Sequence, residues 1–392
     1  MVRGFKFSAV EAAIKKPGRL DLGLIFSEIP AAVAAVFTTN MVKAAPVLLC
    51  MDRVKAGMSQ AIVVNSGNAN ACTGAQGMED ALKTARLVAE GLGLPDEAVL
   101  VSSTGVIGQQ LPMDRLQAGV TPLVEGLSSG TLDQVARAIM TTDTFPKMEV
   151  RHGELDGVPY TIAGIAKGAG MIMPNMATML AFLVTDAAVE QAWLQRSFRE
   201  AVDASFNMIT VDGDTSTNDT ALIMANGAAG NAALGEGNPA AAGFMEQMRD
   251  VLLSLARQIV QDGEGATKFV TLKVVNARST AEAKQVAIAI GNSLLVKTAF
   301  FGEDANWGRI IAAVGYSGAF VDPDRVDIYF DSVRMAHNGV FAGGDAEERG
   351  TAVLKRKEFT VTVDLKVGKG EATAYTSDLS YDYVKINADY RT

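Results

Sequence analysis

Thr178 carries the one hydroxyl in MPNMATMLAF, Met173 to Phe182, and it stands in a run from Gly168 to Thr185 that has no charged residue. A threonine hydroxyl becomes a nucleophile only when a base takes its proton. A threonine at a chain N-terminus supplies that base as its own α-amine. Such an amine has a pKa of about 7.7–8.0 in model peptides, near the neutral range where a general base works best. The chain holds only two histidines, His152 and His337, in the polar, turn-like segments RHGELDG and AHNG. Both read as solvated loop residues, which disfavours a Ser-His-Asp triad and a histidine zinc site. An amine base suits this composition. Thr178 is internal, so the Ala177–Thr178 bond must first be cut. The same hydroxyl can attack the Ala177 carbonyl and give an ester that water opens. Pro174 and Asn175 signal a turn able to hold that bond under strain. The plain alternative is a β-branched residue in a buried strand, where threonine is common.

Acyl transfer also needs donors for an oxyanion. SSTGVIG, Ser102 to Gly108, offers the Thr104 hydroxyl and the Gly105 amide at a strand-to-turn junction, or is an ordinary turn. MTTDTFPK places Thr141, Thr142 and Asp143 after an apolar helix, Val135 to Met140, as a site-lining loop or a helix C-terminal turn. Lys167 in IAKGAGM borders the uncharged run. A lone cation there finds an anion of protein or substrate, or snorkels to the surface. Asp212, Asp214 and Asp219 in TVDGDTSTND look like a cation loop without EF-hand spacing, and are read as a structural turn with a metal site as the alternative. Glu264, between two glycines in QDGEGATK, either faces a substrate amine or belongs to a solvated loop. NSGNANACTG, Asn65 to Gly74, could form an anion nest, but it lacks the Gly-Lys-Ser/Thr ending of a phosphate loop.

The elements that must position these residues alternate between strand and helix. Gln60 to Val64 and the AVLVSS segment read as strands. A helix is expected from about Met78, stopped by Gly91, Gly93 and Pro95. Trp193, Leu194, Phe198 and Val202 share one helical face, with Asp186 as its N-cap. Met248, Val251, Leu252, Leu255 and Ile259 form another stripe that ends at Gly263. Ser279 and Glu282 form a capping box. Val270, Leu272 and Val274 alternate with polar residues, as do Phe359, Val361, Val363 and Leu365, and Tyr381 to Ile386 reads as a last strand. The fold class is mixed α/β, sheets covered by helices, too irregular for a TIM barrel or a single Rossmann unit.

Composition bounds the rest. A chain of 392 residues is expected to form two or three lobes. With 48% hydrophobic and 20% charged residues it reads as a globular enzyme. A net charge of −9 with no basic block argues against nucleic acid or an anionic membrane as partner. Cys50 and Cys72 are too few for a disulfide framework and read as two buried thiols. The N-terminal segment lacks a signal-peptide core, and the glycines and Pro174 oppose a spanning helix over 168–185, so a cytoplasmic location is expected.

Taken together, AKGAGMIMPNMATMLAFLVTDA, with SSTGVIG upstream, MTTDTFPK between, SFNMITVDGDTSTNDT downstream and INADYRT at the end, closely resembles the ornithine acetyltransferase (glutamate N-acetyltransferase) family of arginine biosynthesis, in order and over essentially the whole chain. The resemblance implies a fold similar to self-processing aminopeptidases. It implies autoproteolysis at Ala177–Thr178 into an α chain, 1–177, and a β chain, 178–392, that stay together as a heterotetramer of two of each. Thr178 would be the nucleophile, and Thr104 and Gly105 the oxyanion hole. Thr141, Lys167, Thr178, Glu264, Asn387 and Thr392 would bind substrate. Acetyl would pass from N-acetylornithine to Thr178 and then to glutamate. No cofactor is implied, with acetyl-CoA open as a co-substrate. Two other readings stand beside this one. A self-processing aminopeptidase or amidase would hand the acyl group to water. A metal-dependent binding or phosphotransfer protein would use Asp212, Asp214 and Asp219.

Overall fold

The computed structural model describes residues 2–173 and 179–388, so the expected cleavage bond Ala177–Thr178 and the expected ligand Thr392 lie outside the described residues. The chain divides into two compact units. The first comprises Met1–Gly168, Asn175–Asn207 and Thr215–Ile259. The second comprises Ala169–Pro174, Met208–Asp214 and Val260–Thr392. Each draws on segments from both sides of the Ala177–Thr178 bond.

The sheet of the first unit has eight strands among the described residues: β1 Phe5–Val10, β2 Leu22–Phe37, β3 Met58–Asn68, β4 Val99–Val106, β5 Lys147–Leu155, β6 Val158–Lys167, β7 Leu180–Thr185 and β9 Thr220–Ala225. Their order is β4-β3-β2-β9-β7-β6-β5, with β1 on β2. The 16-residue β2 changes partners along its length. Leu22–Ser27 pairs with β1, and Ala32–Phe37 pairs with β9. Side chains alternate across the sheet as period 2 requires. Leu22, Leu24, Ala61, Val63, Val99 and Val101 face α2 (Gly74–Leu92) and α3 (Met113–Glu125). Ile25, Ile62, Val64 and Leu100 join the other face with Val135 and Ala136 of α4 (Leu132–Ala138). α1 (Ala45–Arg53) packs on β4. α5 (Gln191–Asp203) lies on β2. β6 narrows at Gly164, where a Cβ would meet Val251 and Leu255 of α6 (Ala241–Gln261) at 3.0 Å. β7 is buried at every residue and pairs with β6 on one side and β9 on the other.

The second unit has a seven-stranded sheet: β8 Ile209–Thr210, β10 Phe269–Ala277, β11 Asp327–Phe330, β12 Val333–His337, β13 Val340–Phe341, β14 Glu358–Asp364 and β15 Gly370–Ser377, ordered β13-β12-β11-β14-β10-β15-β8. The parallel register Val270↔Phe359, Leu272↔Val361 and Val274↔Val363 puts the two expected apolar faces side by side. Ala283, Val286, Ala287 and Ile290 of α7 (Thr280–Asn292) cover them. α8 (Leu294–Phe301), α9 (Trp307–Gly315), α10 (Ala346–Leu354) and α11 (Tyr381–Ala388) complete the unit.

Several local expectations are corrected. Tyr381 to Ile386 is helical, because the Ser380 hydroxyl accepts the Asp382 amide and Asp382 pairs with Lys385 one turn on. His152 is an exposed residue of β5, opposite Thr161. Asp186 does not cap α5. Its buried carboxylate takes the Thr161 amide (2.7 Å) and the Arg3 guanidinium (2.9 Å), and Glu190 stands at the cap without a side-chain bond. α2 starts at Gly74, earlier than Met78. Ser279 accepts the Glu282 amide as expected, but the reciprocal bond of a capping box is absent there, while Thr131 and Gln134 form a full box on α4. Cys50 is buried and burial pushes its thiol up to about 12, whereas Cys72 is exposed in a loop where its own φ is +57°. Among the described residues no helix is long and apolar enough to cross a membrane.

Candidate active site

In the first unit, the backbone brings three expected residues to one ammonium group. Lys167 ends β6 with 3% of its surface exposed. Its Nζ donates to the Thr141 hydroxyl at 2.7 Å and to the Thr104 hydroxyl at 3.4 Å. Because Thr104 accepts from Lys167, its own hydrogen points elsewhere and is available as a donor. An oxyanion needs that polarity.

Asp143 organises the same cluster from a fully buried position. Its Oδ1 accepts Lys147 Nζ (2.7 Å) and the Gly168 amide (2.7 Å), and its Oδ2 accepts the Thr141 amide (2.9 Å) and lies 4.0 Å from Lys167 Nζ. Burial by itself would raise this carboxyl. The charges of Lys167 and Lys147 with the hydrogen bonds outweigh it and hold Asp143 at about 2. The TTDT segment is thus folded around its own aspartate, which sets the Thr141 hydroxyl against Lys167.

Gly105 lies in β4 opposite Gly67 of β3, at φ +136°. A Cβ there would sit 2.3 Å from the Gly67 carbonyl carbon and 2.5 Å from the Asn68 nitrogen, so no other residue fits. The strand β4, with a register shift at Asn68, carries Thr104 and Gly105 at its end, as the strand-to-turn reading of SSTGVIG expects and the ordinary-turn alternative does not. Asn218 fixes the residue before Thr104, donating to the Ser103 carbonyl (2.8 Å), and also donates to the Ala69 carbonyl (2.6 Å).

In the second unit, Glu264 is 9% exposed and accepts Asn387 Nδ2 at 2.8 Å. Its amide donates to the Ala169 carbonyl at 2.8 Å. Gly170 faces its carboxylate so closely that a Cβ would fall 2.4 Å away. Two residues expected to bind substrate, Glu264 and Asn387, therefore touch.

Two of the three carboxylates of the acidic loop, those of Asp212 and Asp219, accept backbone amides, and Asp214 donates its own amide to Asp212 at 3.3 Å. Asp212, in the second unit, accepts Met171 N (2.6 Å) and Ile172 N (2.8 Å). Asp219, in the first, accepts Met179 N (3.0 Å). In sequence these amides flank residues 174–178. Among the described residues no group of three or more His, Cys, Asp or Glu could hold a metal ion. Sequence reasoning missed Lys147 and the anchoring roles of Asn218 and Asp219. The spacing of Asp143 and Lys147 was the available signal.

Comparison with known proteins matches residues 6–392 to a family model described as the ArgJ family. The Arginine biosynthesis bifunctional protein ArgJ of Geobacter sulfurreducens is 71% identical over 391 residues, covering 100% of both chains. The protein of the same name from Syntrophotalea carbinolica is 56% identical, covering 100% of this chain and 99% of that one. Among solved structures, the crystal structure of Arginine biosynthesis bifunctional protein argJ from Bacillus halodurans is 43% identical with a TM-score of 0.51, covering 53% of this chain and 97% of that chain.

Proposed function

The chain belongs to the ArgJ family, and from that premise we propose that it moves the acetyl group of N2-acetyl-L-ornithine to L-glutamate through an acetyl ester on Thr178. It is an acyltransferase of arginine biosynthesis. In the proposed cycle Thr178, freed at its α-amine by cleavage after Ala177, attacks the acetyl carbonyl. Ornithine leaves, and glutamate then takes the acetyl group. Thr104 and Gly105 stabilise the oxyanion in both halves. Lys167 and Thr141 receive a substrate carboxylate. Glu264, held by Asn387, takes ornithine's side-chain ammonium, and Thr392 is a further substrate-binding residue. Acetyl-CoA enters as a second donor, in keeping with the word bifunctional in the relatives' names. The cut chains 1–177 and 178–392 stay together as a heterotetramer of two of each in the cytoplasm.

The observation that supports this reading best is the Lys167 ammonium on the hydroxyls of Thr104 and Thr141. It ties a carboxylate-binding charge to the residue proposed to bind the oxyanion. The test is ornithine release from N-acetylornithine with and without glutamate. Glutamate accelerates release at least tenfold, and N-acetylglutamate forms in equal amount. Release that ignores glutamate and yields acetate would make the chain an amidase and sink the transferase assignment.

A further inference from the structure

Glu264 stands between Gly263 and Gly265, so its own loop leaves the backbone free to turn. In the second unit its place is set by the segment that runs from β15 into α11. Asp378, the residue after β15, is 3% exposed and makes the first link. Its Oδ1 accepts the Thr267 amide (2.7 Å) and the Lys268 amide (2.9 Å), and its Oδ2 accepts the Thr267 hydroxyl (2.5 Å). Ser380 makes the second link. Its hydroxyl donates to the Gly265 carbonyl (2.5 Å) and accepts the Asp382 amide (3.2 Å). The third is Asn387 on Glu264 itself, with the same Nδ2 donating to the Tyr383 carbonyl at 3.0 Å. The two segments pass so closely that a Cβ on Gly265, at φ +67°, would fall 2.5 Å from the Tyr383 nitrogen.

Lys297 of α8 backs the first link. It is 1% exposed, and its Nζ donates to the Thr376 hydroxyl (3.0 Å) and to the carbonyl and hydroxyl of Ser377. Burial draws this ammonium down to about 7, and the charges of Asp378 and Asp212 oppose that fall. An ammonium and a carboxylate withdrawn from water gain little stability over apolar packing, whereas their hydrogen bonds fix position. Lys297 holds the end of β15, and Asp378 extends that hold to the loop of Glu264.

We propose that Asp378 is a positioning residue for the side-chain ammonium of ornithine: with Lys297 fixing the end of β15, it grips the Thr267–Lys268 backbone and so keeps the Glu264 carboxylate, in the same loop, on Asn387 and turned to the substrate. This rests on Glu264 as the acceptor of that ammonium, as proposed above. Glutamate brings no side-chain ammonium, so the effect falls on one half of the cycle. In a ping-pong cycle the kcat/KM of each substrate reports its own half-reaction alone, and a loss of folded enzyme lowers both equally.

The test is Asp378→Asn, which keeps an oxygen for the two amides and loses both the charge and the acceptor of the Thr267 hydroxyl. Initial rates with N-acetylornithine and glutamate varied in turn give both kcat/KM values. The ratio of the N-acetylornithine value to the glutamate value is expected to fall about tenfold, in keeping with the sensitivity of rates to an ångström of misplacement. A ratio within twofold of wild type, whatever the absolute rates, would make Asp378 a structural clamp and overturn the proposal. Glu264→Gln, measured alongside, separates the two claims. If it leaves the ratio within twofold, the ammonium is bound elsewhere, and the Glu264 reading fails and this proposal with it. If it lowers the ratio and Asp378→Asn does not, the present proposal alone fails. Should Asp378→Asn not fold, Thr267→Val carries the test, since it removes the hydroxyl end of the same bond: a fall of about threefold in the ratio, the worth of one hydrogen bond, supports the proposal, and an unchanged ratio overturns it.

Discussion

Thr178→Ala is expected to give one uncut chain of 41.2 kDa that releases no measurable ornithine. The variant removes both events at once, because the hydroxyl that opens the backbone is the one that carries the acetyl group. Removing the nucleophile of an acyl-transfer enzyme costs on the order of 10⁶ in kcat, and what remains comes from oxyanion donors and binding. A loss of at least roughly 10⁴ is therefore predicted. Thr178→Ser keeps a hydroxyl and should still be cut, more slowly. Mass spectrometry reads the cut, and N-terminal sequencing must find Thr-Met-Leu at the start of the second chain in the wild type. A fully active wild type made of one unbroken chain would refute the mechanism.

Lys167→Met is expected to lower kcat/KM roughly 10²-fold, about 2.7 kcal/mol of transition-state stabilisation. The ammonium is asked to do two things: meet a substrate carboxylate and accept no hydrogen from Thr104, so that this hydroxyl stays a donor. The first loss raises KM and the second lowers kcat, so both should move. Stability should move less. Breaking a buried ion pair by deleting one partner costs about 3–5 kcal/mol, but in this variant Asp143 keeps Lys147 at 2.7 Å, against 4.0 Å for Lys167. Lys147→Met should show the opposite balance, a larger fall in melting temperature for a smaller direct effect on KM. Acid sensitivity adds a check with a defined sign. The Asp143 carboxyl is held down at about 2 in the folded chain, below its ordinary 3.8, so its contribution to stability is present above pH 3.8 and is lost as pH falls towards 2. Either variant removes one of the two ammoniums that oppose burial. Its carboxyl titrates higher, and acid unfolding begins at a higher pH.

Much of the second unit was legible because one-sided burial writes period 2 into the residues. Val270, Leu272 and Val274 face the core, and Thr271 and Lys273 do not. The first unit was harder. β7 is buried on both faces, so Leu180–Thr185 carries no alternation, and β2 contains Pro30 and a register shift between Phe26 and Ala31 that obscure a 16-residue strand. Tyr381 to Ile386 failed for another reason. YDYVKI is rich in the aromatic and β-branched residues of strands, and only the serine before it reveals the helix. At the site, the residues read from the sequence segments Thr104, Thr141 and Lys167 do meet, and so do Glu264 and Asn387. What joins them was invisible. Asp143 binds two backbone amides and two ammoniums from different strands and loops. Such convergence depends on tertiary placement, which local spacing does not encode.

The interior place of β7 has a kinetic consequence. It is ladder-bonded to β6, which precedes the proposed cut, while β9, which follows it, is bonded to β2 over six residue pairs. Leu180, Phe182, Leu183 and Val184 are each worth roughly 1.5–3 kcal/mol when withdrawn from water. A nicked molecule should thus survive any dilution without coming apart. Once denatured, however, its recovery requires two polymers to find each other, so the regain of signal should follow second-order kinetics, accelerating with concentration, where the unnicked Thr178→Ala chain recovers at a rate independent of it.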